Sequence, residues 1–138
     1  MSKEQYMIEP IGVIRSPLVS LVGAPKQGDE GGYDVWLEFT PQVIDALVGI
    51  AVGDEVIVLT WLHRADRDVL QVHPRKRIDQ PKKGVFATRS PARPNPIGLH
   101  RVSVLAIDGH RVKVAPMEAI DGTPIVDIKP ALMHINER

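Results

Sequence analysis

Short runs of β-branched and aromatic residues, cut at intervals by proline or glycine, recur along the chain and leave room for few helices. Residues 33–39 alternate Tyr33, Val35, Leu37 and Phe39 against Asp34, Trp36 and Glu38, the period of two that a half-buried strand requires. Residues 55–63 form a nearly continuous apolar run, Val56-Ile-Val-Leu-Thr-Trp-Leu62, which reads as a central strand buried on both faces. Residues 8–16 carry Ile8, Ile11, Val13 and Ile14 and stop at Pro17. Further strands are predicted over 84–88, 97–107, 111–114 and 125–128, with Asp108-Gly109 as a hairpin-turn signal. One helix stands out. Thr40 is placed as its N-cap, Pro41 sits at the first helical position, and Val43, Ile44, Leu47 and Val48 share a face before Gly49 or Gly53 ends it. Many strands, a lone helix and 12 prolines predict a mainly-β fold, a barrel or a sandwich.

With 138 residues the chain is expected to form a single domain over 1–138. It has no cysteine, which excludes disulfides, thiolate catalysis and cysteine-ligated zinc, and agrees with a reducing cytoplasm. No signal peptide and no membrane-spanning segment is expected. The five histidines, His63, His73, His100, His110 and His134, lack the close pairing of metal motifs, so no metal site is expected. Trp36, Trp61, Phe39 and Phe86 fall in strand patterns and are assigned to the core rather than to base-stacking platforms.

Net charge is zero, yet residues 64–101 hold ten Lys/Arg against three Asp. That block would make a positive face suited to a polyanion, against the plainer reading of a solvated loop. Arg75, Lys76, Arg77, Lys82, Lys83 and Arg93 are the candidate nucleic-acid contacts. Residues 18–32 and 64–83 are irregular and long for connections in a small domain, and long loops are often functional.

The most informative stretch is Gly84-Val-Phe-Ala-Thr-Arg-Ser-Pro-Ala-Arg-Pro-Asn-Pro-Ile-Gly-Leu99. Pro91, Pro94 and Pro96 each fix φ and restrict the residue before them, so the segment is stiff. Arg89, Arg93 and Asn95 are donors that a stiff frame can aim at a carboxylate, a phosphate or a base edge.

This stretch resembles the hallmark motif of the TsaA-like (YaeB-like, TrmO-type) family, whose best-known members are tRNA N6-threonylcarbamoyladenosine methyltransferases. Companion pieces occur in the family's order: Pro10-Ile-Gly-Val-Ile-Arg-Ser-Pro17, Pro25-Lys-Gln27, the strand ending Trp61-Leu-His63, and Asp121-Gly-Thr-Pro-Ile-Val-Asp-Ile-Lys-Pro130. The similarity spans residues 8–132.

The resemblance implies a single-sheeted β-barrel with one or two short helices, working as a cytoplasmic homodimer. It implies S-adenosylmethionine (SAM) as cofactor and tRNA as methyl acceptor. The implied cofactor contacts are Pro25, Lys26, Gln27, His63, Arg64, Arg89, Leu99, Asp121, Gly122, Thr123 and Pro124. Lys26 stands where the family has arginine, which keeps charge but loses the fork. Arg64 stands where it has glutamine. The chain ends soon after Pro130, whereas longer members carry a C-terminal domain. No catalytic base is assigned; His63 is the best-placed imidazole, and a cofactor or structural hydrogen bond is favoured for it over base catalysis. Methylation of a small molecule or another RNA, and a non-catalytic RNA-binding module, are the competing functions.

Overall fold

The computed structural model describes residues 3–19, 32–74 and 77–132. The strands are β1 (Gly12–Arg15), β2 (Tyr33–Phe39), β3 (Glu55–Trp61), β4 (Gln71–Val72), β5 (Lys83–Gly84), β6 (Ile97–Asp108), β7 (Arg111–Met117) and β8 (Pro124–Pro130). Six of them close into an antiparallel barrel in the order β1-β2-β7-β6-β3-β8, while β4 and β5 form a separate two-stranded ribbon. The fold is mainly β, and barrel closure decides between the two architectures that the strand pattern allows. Closure also pairs strands that would otherwise be open edges.

The period of two sorts each strand into an inner and an outer face. Val35, Leu37 and Phe39 of β2 point inward and meet Ile14, Val56, Val58, Val102, Val104, Val112, Val114 and Ile125 in one core. β3 differs from expectation. A closed barrel has one inner face, so only Val56, Val58 and Thr60 are buried, and Ile57, Leu59 and Trp61 stand half-buried outside. Gly12 occupies a close crossing of β1 and β2, where a Cβ would fall 2.2 Å from the Glu38 carbonyl oxygen.

Three local expectations are corrected. The helix is a 3-10 helix, Pro41–Leu47, and Thr40 makes no side-chain cap bond. Its tighter winding breaks the apolar stripe of an α-helix. Val43 and Leu47 pack on the core, and Ile44 and Val48 are exposed. The strand expected over 84–88 ends at Gly84 and gives way to a 3-10 turn, Val85–Ala87. There the Thr88 N–H donates back to the Val85 carbonyl at 3.1 Å instead of reaching a partner strand. The β6–β7 hairpin turns at Gly109 and His110, since Asp108 still pairs with Arg111.

Candidate functional site

The parity of an antiparallel barrel fixes where its loops lie. The connections 16–32 (β1 to β2), 62–96 (β3 to β6) and 118–123 (β7 to β8) all leave the same end of the barrel. The 3-10 helix and the β6–β7 turn lie at the other end. His63, Arg64, Arg89 and Asp121–Thr123 therefore come to one end although 60 positions separate His63 from Thr123.

The proline-rich loop at this end is locked from within. The Arg93 guanidinium donates to three backbone carbonyls, those of Val85 (2.9 Å), Thr88 (3.2 Å) and Ser90 (2.8 Å). The planar fork is suited to this, because its donors diverge from one rigid plane. The Thr88 hydroxyl adds a bond to the Val85 carbonyl, and the Ser90 and Ala92 N–H groups donate to the Thr88 and Ser90 hydroxyls. Arg67 clasps the preceding loop to this one. It donates to the Pro94 carbonyl (2.7 Å) and the Asn95 side chain (3.0 Å), and lies over the Trp61 ring at 5.3 Å. Arg93 and Asn95, expected from the sequence to face a ligand, are thus engaged inside the protein. Arg93 holds the loop rather than presenting a charge to phosphate.

The Asp121-Gly-Thr-Pro turn is built against the end of β1. Asp121 accepts the Ser16 N–H at 3.0 Å and lies 3.8 Å from the Arg15 guanidinium. The Gly122 N–H donates to the Ile14 carbonyl at 2.7 Å, with Gly122 at φ +88°. Thr123 is buried and its hydroxyl donates to the Ile120 carbonyl at 2.6 Å. The turn thus grips residues 14–18, the chain that leads toward Pro25. Pro25, Lys26 and Gln27 lie outside the described residues, as do Arg75, Lys76 and His134.

Inside the barrel at this end, the Thr60 hydroxyl meets His100 Nε2 at 3.0 Å. Gly98 leaves room for the pair, since a Cβ there would fall 2.5 Å from the Thr60 hydroxyl. Burial pushes the His100 imidazole below its usual pKa, so it is neutral at neutral pH. Sequence reasoning saw His100 only as a metal candidate; its inward register, two residues from Gly98 and Val102, was the missed signal.

The basic stretch sorts into two groups among the described residues. Arg67 and Arg93 hold loops, Arg77 pairs with Asp79 at 3.4 Å, and Arg101 pairs with Glu55. The side chains of Arg64, Lys82, Lys83 and Arg89 have no such partner there, and all four are exposed. Leu99 does not join the loops. It stands on the outer face of β6, 51% exposed and paired across the strands with Leu59. The aromatic assignments divide likewise. Phe39 is core, Trp36 and Trp61 are half-buried on the outer surface, and Phe86 is exposed.

A cavity of about 680 Å³ opens between the β4–β5 ribbon and the proline-rich loop, with His73, Lys83, Thr88, Arg89 and Ser90 on its walls. Its size suits a nucleoside-sized ligand. A second cavity, about 600 Å³, lies at the opposite end beneath the 3-10 helix and contains none of the candidate residues. No described helix is long and apolar enough to cross a membrane.

A closed six-stranded barrel with a locked proline-rich loop, and with arginines at one end that lack a partner among the described residues, defines the class of protein. The chain belongs to the family of the tRNA-methyltransferase O N-terminal domain, whose model matches residues 13–137. It is 42% identical over 130 residues to a probable S-adenosyl-L-methionine-binding protein of Methanothermobacter thermautotrophicus, covering 94% of this chain and 93% of the relative. It is 40% identical over 123 residues to an S-adenosyl-L-methionine-binding protein of Archaeoglobus fulgidus, covering 89% and 87%. The fold superposes on the crystal structure of TrmO from Pseudomonas aeruginosa with a TM-score of 0.76 and 29% identity. That match covers 99% of this chain and 59% of the TrmO chain, so the chain spans about three fifths of that protein's length.

Proposed function

We propose that this chain is a SAM-dependent methyltransferase whose acceptor is N6-threonylcarbamoyladenosine in tRNA. The observation that carries the reading is the division of labour in the proline-rich loop. Arg93 turns inward and rigidifies it, while Arg89, four residues earlier, stays exposed and unpaired among the described residues. A donor on a frame already ordered binds an anionic group with little further loss of entropy. The SAM-binding names of the relatives and the family assignment support the same conclusion.

The residues present fit the cofactor's chemistry. Arg89 and Arg64 are exposed guanidiniums able to take its carboxylate. Bound SAM supplies an activated methyl group on a sulfonium. Asp121 would offer its carboxylate to the cofactor's ammonium or ribose hydroxyls, with Arg15 shared between Asp121 at 3.8 Å and Glu38 at 3.2 Å. The loops' main task is to hold acceptor and methyl in line. His63 is exposed at this end just beyond β3, where its imidazole can hydrogen-bond the cofactor or the acceptor.

The homodimer and a cytoplasmic location belong to the same proposal. The outer faces of β3 and β6 align Leu59 with Leu99 and Trp61 with Ile97, an apolar strip beside the loop end of the barrel. A second copy seated there would cover Leu99 and bring it into contact with the facing subunit. Light scattering should give a mass near twice 15.2 kDa at micromolar concentration; a single-chain mass removes this part of the reading. Calorimetry should show SAM binding one site per chain, and no heat with no thermal stabilisation at saturating SAM contradicts the proposal.

A further inference from the structure

We infer that Phe86 is a stacking platform for an unpaired base of the RNA acceptor. The inference rests on the proposed RNA-methyltransferase reading and adds a substrate-binding residue to it. Phe86 is 81% exposed, and its neighbour Val85 only 2%. An isolated exposed ring has no claim to function. This one is held in place, because the Val85 carbonyl accepts three hydrogen bonds, from Arg93, the Thr88 N–H and the Thr88 hydroxyl. The turn beneath the ring is therefore ordered before any ligand arrives.

The surroundings choose the ligand class. Trp36 and Trp61 are each capped by an arginine, Arg111 at 4.2 Å and Arg67 at 5.3 Å, while no described cation lies over Phe86. Lys82 and Lys83 precede the ring and Arg89 follows it, all exposed and unpaired among the described residues. No acidic residue occurs between Asp79 and Asp108. A flat apolar face flanked along the chain by exposed cations complements a nucleotide, whose base stacks while its phosphates meet the lysines. Ala87 and Arg89 then continue into the wall of the 680 Å³ cavity. A base on Phe86 would sit along the same loop as the arginine assigned to the cofactor.

The test uses the full chain, bulk tRNA as probe, and the variants Phe86→Ala and Phe86→Trp. Phe86→Ala should weaken tRNA binding on the order of tenfold, with the salt dependence unchanged because no phosphate contact is lost. Phe86→Trp should restore binding, and its added indole emission should be quenched by tRNA. SAM heat and dimer mass should match the parent in both variants. Parent-like tRNA affinity for Phe86→Ala overturns the platform alone. Loss of the dimer makes the ring a contact between copies, and loss of SAM binding makes it a cofactor residue; either overturns the inference. Failure of the parent chain itself to bind tRNA removes the acceptor reading along with it.

Discussion

Arg93→Ala should abolish most methyl transfer while leaving the barrel folded. The Arg93 guanidinium ties together the carbonyls of Val85, Thr88 and Ser90, so a single truncation frees three acceptors and the turn that carries Phe86 and Arg89. Hydrogen bonds to a charged group are each worth about 1.5–3 kcal/mol. Loss of the group as a unit should raise the barrier by roughly 2–4 kcal/mol, about 30- to 1000-fold in rate. Arg93→Lys should not rescue, because one ammonium on a flexible stem cannot reproduce three diverging bonds. The barrel core lies in other residues, so the variant should still fold, with the thermal midpoint lowered by roughly 10 °C. Activity, SAM calorimetry and amide exchange over residues 85–93 measure this together. A variant with parent-like turnover and a protected loop would show that the frame does not depend on Arg93.

Replacing Lys82 and Lys83 with glutamine should weaken tRNA binding by about twentyfold near physiological salt, with SAM affinity unchanged. Each phosphate contact contributes a log–log salt slope of about −0.7 to −0.9, so the double variant should flatten the slope by about 1.5. Both side chains are exposed and lack a partner among the described residues. Arg77 should matter less, since it already pairs with Asp79 at 3.4 Å. Arg89→Ala should behave in the opposite way, reducing SAM affinity first. Titrations of tRNA over a salt series, beside SAM calorimetry for each variant, read out the contrast. An unchanged slope in the double variant would reduce the lysines to solvated surface and move a small-molecule acceptor ahead of tRNA.

The strands were legible because alternation reports an inner face directly: Val35, Leu37 and Phe39 point where their period says. β3 misled because Ile57, Leu59 and Trp61 are as apolar as Val56 and Val58, and composition does not tell a barrel's outer strip from a core layer. The 3-10 turn at Val85–Ala87 was hidden for a related reason. Val-Phe-Ala has strand propensity, and only the hydrogen bonds from Thr88 and Arg93 to the Val85 carbonyl override it. The candidate cofactor set rests on family resemblance alone, and barrel parity explains why residues 63, 89 and 121 can share one end. What the sequence did not disclose was the direction of each arginine. Arg93 and Arg89 look alike on paper; one holds the loop and the other remains exposed.

Methyl transfer from SAM to tRNA by this chain is the proposed activity. The direct measurement incubates the purified protein with methyl-labelled SAM and bulk tRNA, digests the tRNA, and identifies labelled nucleosides by mass spectrometry. Label is expected on N6-threonylcarbamoyladenosine, reduced at least ~30-fold with Arg93→Ala. Stoichiometric SAM binding with no label in any tRNA nucleoside would contradict it.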